Sequence, residues 1–163
     1  ETGIHSLQPV TGRNHLIETD TLMILDDCYN ANPASMRASL DVLALATGRR
    51  VAVMGDMKEL GENEEQLHFE TGEYAARKGI DTIVCIGPLA CQMYLGAKNL
   101  ASGNTVLHYT GKKEFLHDLP SLFEAGDTVL VKASNSMKFS EIVEALTEFE
   151  ANTKDEIEKG AKQ

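Results

Sequence analysis

Five short apolar runs, each continuous rather than alternating, constrain this chain more than any other feature. They lie at residues 21–25, 50–54, 82–86, 105–108 and 128–131. A strand with one wet face alternates apolar and polar residues, whereas an unbroken run suits a strand covered on both faces. Between the runs the spacing turns helical. After Asn32-Pro33, residues Met36, Leu40, Leu43 and Thr47 share one face and Ala38, Val42 and Leu45 another, which predicts a helix apolar on two sides and well buried. Asn63, Glu64, Glu65 and Gln66 predict a helix start with an asparagine cap and a capping-box glutamine. Leu67, Thr71, Tyr74, Ala75 and Lys78 continue that face until Gly79 ends it. Further helices are predicted over residues 89–97, over 112–123 with Pro120 interrupting or shifting it, and over 137–150 with Ile142, Val143, Leu146 and Phe149 inward.

Strand and helix alternating in this way predict an α/β fold, a doubly wound, mostly parallel sheet of about six strands with helices on both faces, Rossmann-like. Only Thr19-Asp20 separates residues 15–18 from 21–25, so one antiparallel edge strand is expected. Residues 1–151 read as one domain and 152–163 as a polar, frayed tail.

A formal net charge of -10, with no basic block longer than Arg49-Arg50 or Lys112-Lys113, argues against a nucleic-acid or anionic-membrane surface. No apolar stretch approaches the roughly 18–20 residues of a membrane span, and no signal peptide is recognisable. Cys28, Cys85 and Cys91 form no CxxC pair, so reduced thiols in a cytosolic protein are expected. Their spacing is wrong for a common zinc site. His68, inside a helix, reads as a core or solvated residue rather than a ligand.

In open α/β sheets ligands gather at the carboxyl ends of strands. Three polar clusters fall there: DDCYNANP (26–33), GDMKELG (55–61) and KASNSMK (132–138). In the first, Asn32 capping a helix and Pro33 opening it account for two residues. Asp27, Tyr29 and Asn30 are left without a task. A carboxylate there can accept from ribose hydroxyls, and a tyrosine ring can stack on a base. GDMKELG can be a plain glycine-bracketed loop. KASNSMK can be a helix entry or an anion cradle to which Lys132 adds charge. No phosphate loop of the GxxxxGK[ST] type, no GxSxG elbow and no HExxH helix is present.

The stretches DDCYNANPASM, VAVMGDMKELGENEEQLH and VLVKASNSMKFSEIVEAL, in this order and spacing and preceded by PVTGRNHLIE, resemble the C-terminal domain of the Mur ligases. Within that family the resemblance is to the branch that adds D-alanyl-D-alanine to UDP-N-acetylmuramoyl-tripeptide, and it covers residues 9–150. The resemblance implies the third domain of a cytoplasmic, peptidoglycan-building enzyme that joins an amine to a carboxylate through an acyl-phosphate, using ATP and Mg2+. The first domain would hold the UDP-sugar peptide. The central one would carry the phosphate loop, the magnesium ligands and a modified lysine. The third would close over ATP and help to bind the dipeptide. By family pattern Arg13 would approach the ATP phosphates, Asp27 would hold the ribose, and Tyr29, Asn30 and Asn32 would line the nucleotide or interdomain face. Asp56, Glu59, Lys132, Ser134, Asn135 and Ser136 would serve the substrate side.

Two departures stand out. Where the family usually has glycine, serine and arginine after the last lysine, this chain has Ala133, Ser134 and Asn135. It also begins at Glu1 without a central domain, so the chain alone is expected to be inactive. Two other readings are a free-standing nucleotide-binding or interaction module, and a folylpolyglutamate synthetase domain. The latter typically has a histidine before asparagine-proline, where this chain has Ala31.

Overall fold

The structure, a computed structural model, describes residues 15–150. The frayed-tail expectation for 152–163 lies outside them. Six strands form one sheet in the order β1-β2-β6-β3-β4-β5: β1 (His15–Glu18), β2 (Met23–Asp26), β3 (Arg50–Gly55), β4 (Thr82–Ile86), β5 (Thr105–Tyr109) and β6 (Thr128–Lys132). Only the β1–β2 pair is antiparallel. The hairpin turn is wider than two residues, because Thr19 Oγ1 accepts from the amides of Thr21 and Leu22 and delays β2 to Met23.

Helices α1 (Pro33–Ala44), α2 (Glu64–Arg77) and α3 (Ala90–Leu100) cover one face of the sheet, and α4 (Lys112–Leu122) with α5 (Ser140–Thr147) covers the other. Strand residues divide accordingly. Ala52 and Met54 of β3 join the first core, while Val51 and Val53 join the second. This two-sided burial is the physical origin of the unbroken apolar runs.

Four local expectations are corrected. The α1 face of Met36, Leu40 and Leu43 is fully buried, but Ala38 is exposed and Leu45 is 64% exposed, so its second apolar face stays open. Asn63 makes no capping bond; a 3-10 turn (Gly61–Asn63) leads into α2, and Gln66 pairs with Glu70 along the helix instead. Pro120 does not interrupt α4, which runs on to Leu122 although Pro120 has no amide to donate. The final helix starts at Ser140, since a 3-10 turn (Asn135–Met137) runs into Lys138 at φ 54, a left-handed conformation that breaks the helical path.

The helices α2 and α3 approach until their backbones touch. A Cβ on Gly72 would collide with the Met93 carbonyl, and one on Gly96 with the Phe69 carbonyl. Glycines facing one another are what allow that spacing.

Candidate functional site

Because β6 lies between β2 and β3, the loops after these three strands emerge side by side at one sheet edge. The three polar clusters therefore converge. The Asp27 amide donates to the Val131 carbonyl at 3.0 Å, extending the β2–β6 ladder into the first loop.

A buried ion pair sits at that seam. The Lys132 ammonium lies 2.8 Å from Asp27 Oδ2 and donates to the Asn30 carbonyl at 3.0 Å. The Ser39 hydroxyl of α1 donates to the same Oδ2. Lys132 is 2% exposed and Asp27 7%. Two donors on Oδ2 hold the carboxylate in one orientation. Oδ1 takes no bond among the described residues, on a side chain that lines a cleft of about 380 Å³. Tyr29, Asn30, Asn32 and Lys132 share that cleft, whose apolar side is Ala38 and Val42 from the open face of α1. Asn32 caps α1 through a capping box, accepting from the Ser35 amide at 2.9 Å while its own amide donates to Ser35 Oγ at 3.1 Å. Tyr29 is half exposed.

On the opposite face of the sheet, Cys28 and the Asn135–Met137 turn border a smaller recess of about 250 Å³. Asn135 and Ser136 are exposed there. The residues assigned from sequence to the substrate side thus fall into separate places. Lys132 belongs to the Asp27 cleft, while Asn135 and Ser136 border the recess. Ser134 is buried between them, its hydroxyl accepting from the Lys58 amide at 2.8 Å. Asp56 is fully buried, and its Oδ1 accepts from the Ala90 amide at 2.7 Å at the start of α3. That carboxylate fills the space a side chain on Gly87 would need, and Gly87 takes φ 120. Glu59 is exposed, with φ 62. Arg13 lies outside the described residues.

Sequence reasoning missed Ser39 and the Ala38–Val42 side of the cleft. A lone serine among Met36, Leu40 and Leu43 on a buried face was the available signal, since a buried hydroxyl needs a partner.

The thiols are inert where they are buried. Burial first, and then the bond from Cys28 Sγ to Asp26 Oδ1, push the Cys28 thiol up to about 12; burial also raises Cys85. At pH 8 a thiol of that pKa is only about 10⁻⁴ thiolate. Iodoacetamide is therefore expected to modify the partly exposed Cys91 first, and Cys28 and Cys85 only upon unfolding. Mass spectrometry of the alkylated peptides checks this order; early labelling of Cys28 would contradict it.

Comparison with known proteins bears on the fold and the family. The Mur ligase, glutamate ligase domain family matches residues 12–135. The UDP-N-acetylmuramoyl-tripeptide--D-alanyl-D-alanine ligase of Bacillus subtilis is 38% identical over 149 residues, covering 90% of this chain and 33% of that protein. The crystal structure of MurF from Acinetobacter baumannii superposes with a TM-score of 0.79 at 32% identity, covering 86% of this chain and 31% of that one. MurF ligase from Thermotoga maritima, solved in complex with ADP, gives 0.72 at 30% identity, covering 87% and 32%. The chain spans about a third of the length of the relatives it matches. With that match over most of its length, and with its sheet edge built as described, the chain belongs to the Mur ligase, glutamate ligase domain family.

Proposed function

We propose that this chain is the C-terminal, ATP-closing domain of a cytoplasmic ligase that adds D-alanyl-D-alanine to UDP-N-acetylmuramoyl-tripeptide through an acyl-phosphate. The remaining two thirds of such an enzyme would be the N-terminal and central domains of the same polypeptide. The observation that carries the reading is the Asp27 carboxylate, fixed through Oδ2 by Lys132 and Ser39 on a side chain that lines the cleft, with Oδ1 unbonded among the described residues.

Each side chain has a chemical task in this reading. Asp27 Oδ1 accepts from a ribose hydroxyl. Tyr29 and the Ala38–Val42 side offer apolar surface to the base, and Asn30 and Asn32 line the nucleotide or interdomain face. Arg13 approaches the phosphates. Asn135 and Ser136, with Glu59 on the neighbouring loop, face the incoming dipeptide, while Asp56 and Ser134 hold the loops that present them. A domain that supplies these contacts only when closed assembles the site and keeps water from a hydrolysable acyl-phosphate.

Among the described residues no group of three or more His, Cys, Asp or Glu side chains could hold a metal ion. The proposal places the Mg2+ ligands outside them. Likewise, no helix among them is long and apolar enough to cross a membrane.

The test is steady-state ligation by the full-length enzyme. Asp27→Asn/Lys132→Met removes the charged acceptor without leaving a buried charge unpaired, and is expected to raise the KM for ATP about 10- to 100-fold, the equivalent of a hydrogen bond to a charged group. Arg13→Ala is expected to lower kcat/KM for ATP by a similar factor. ATP kinetics unchanged in both variants would remove the nucleotide assignment.

A further inference from the structure

The GDMKELG segment (55–61) follows β3, the neighbour of β6, and its backbone ties it to the loop after β6. Asp56 and Met57 are fully buried. Its backbone makes the telling contacts. The Ser134 amide donates to the Asp56 carbonyl at 3.0 Å, and the Lys58 amide donates to Ser134 Oγ at 2.8 Å. Between those two bonds, the Met57 amide donates to Nε2 of His68 at 2.9 Å.

His68 lies in α2 and is fully buried. Its Nδ1 is 2.6 Å from the Glu64 carbonyl, one turn earlier in the same helix. A carbonyl can only accept and an amide N–H can only donate, so Nδ1 carries the proton and Nε2 supplies the lone pair. The ring has no freedom left: one nitrogen is tied to the helix and the other to the loop. Beyond Lys58 the loop turns through Glu59 at φ 62, a conformation that a non-glycine residue keeps when its surroundings over-determine it. The loop enters that turn directly after the bonds at Met57 and Lys58.

We propose that His68 is a positioning residue for the Ser134–Ser136 side of the ligase site. By accepting from Met57 it fixes the loop, and the next amide along, Lys58, then holds the Ser134 hydroxyl and the turn that follows. The chain of contacts runs from Glu64 through His68, Met57 and Lys58 to Ser134, and His68 itself touches no substrate. This inference rests on the ligase reading above, with Asn135 and Ser136 facing the dipeptide. A loop displaced by about 1 Å lowers the efficiency of a positioned reaction by up to about 100-fold. The effect should therefore fall on the dipeptide and spare the nucleotide, which binds on the opposite face of the sheet.

Two polar variants separate positioning from general stability. His68→Gln can still present an acceptor to Met57. His68→Asn can keep a donor to Glu64 but withdraws that acceptor. In the full-length enzyme His68→Asn is expected to raise the KM for D-alanyl-D-alanine about tenfold while leaving that for ATP within about twofold. His68→Gln is expected to recover most of the loss. Ser134→Ala should give a similar rise, and the double variant His68→Asn/Ser134→Ala should be little worse than either single, as for residues in one network. An unchanged dipeptide KM, equal rises for both substrates, or simple additivity overturns the proposal.

Amide hydrogen exchange on the 163-residue chain reads the same coupling without catalysis. His68→Asn should speed exchange at Met57, Lys58 and Ser134 about tenfold or more and leave Leu130 unchanged. A uniform increase across the core would show a purely structural role and overturn it as well. A wild-type enzyme without ligase activity would overturn the ligase reading instead, a result distinct from either outcome of the exchange measurement.

Discussion

Replacing Lys132 with alanine is expected to destabilise the fold by about 3–5 kcal/mol, the usual penalty for leaving a buried charge without its partner. Asp27 is 7% exposed, and without the ammonium its carboxylate keeps, among the described residues, only the Ser39 hydroxyl. The Asn30 carbonyl loses its donor in the same substitution. Set beside a total stability of about 5–15 kcal/mol for a typical domain, the loss brings the chain close to its unfolding threshold. Urea denaturation measures it directly as a lowered midpoint at constant slope. The double variant Asp27→Asn/Lys132→Met removes both charges, and it should recover most of the stability, because a buried pair is worth little more than neutral groups of similar size. A loss below about 1 kcal/mol for Lys132→Ala would mean that water reaches Asp27 freely, as at a surface ion pair.

The second large effect is expected at Gly72. Alanine there gains about 1 kcal/mol of helix propensity, yet its methyl group would press on the Met93 carbonyl, which is backbone and cannot rotate away. Overpacking against a fixed wall outweighs propensity, and a net loss of about 3 kcal/mol is expected as α2 and α3 are pushed apart. For a domain of this size that corresponds to a melting temperature lower by about 6–12 °C. Gly96→Ala meets the Phe69 carbonyl across the same interface and should behave alike. Once either variant has separated the helices the other should cost less, so the double falls short of the sum. A neutral or stabilising Gly72→Ala would show that the two backbones do not touch.

The fold was legible because burial on both faces of a parallel sheet leaves an unmistakable sign, and all five apolar runs became strands. The boundaries that slipped did so for local reasons: Thr19 diverted two amides at the hairpin, and Lys138 broke the approach to α5. The open face of α1 was a different kind of miss. Periodicity reports that Ala38, Val42 and Leu45 are apolar, but not whether another element covers them.

For the site, local sequence carried what local chemistry decides, such as Asn32 capping and Pro33 opening α1. Long-range partners were out of reach. Nothing in the spelling of KASNSMK says that its first lysine folds back on Asp27, or that His68 will accept from Met57. Asp56 falls on the substrate side by the family resemblance, while the residues themselves read as a plain glycine-bracketed loop. Its depth beneath Gly87 became apparent only once β3 and β4 were paired.

The strand order has a consequence in time. β6, the last strand among the described residues, is inserted between β2 and β3. Until residues 128–132 have been synthesised, the hairpin on one side and β3-β4-β5 on the other have no edge in common. Asp27 waits for a lysine 105 positions later, roughly 5–20 s at a translation rate of about 5–20 residues per second. β3, β4 and β5 are all made within that interval, before the strand that pairs β3 with the hairpin side of the sheet. The lysine that completes the cleft arrives on the strand that joins them, so the sheet is closed and the Asp27 carboxylate is paired by the same strand.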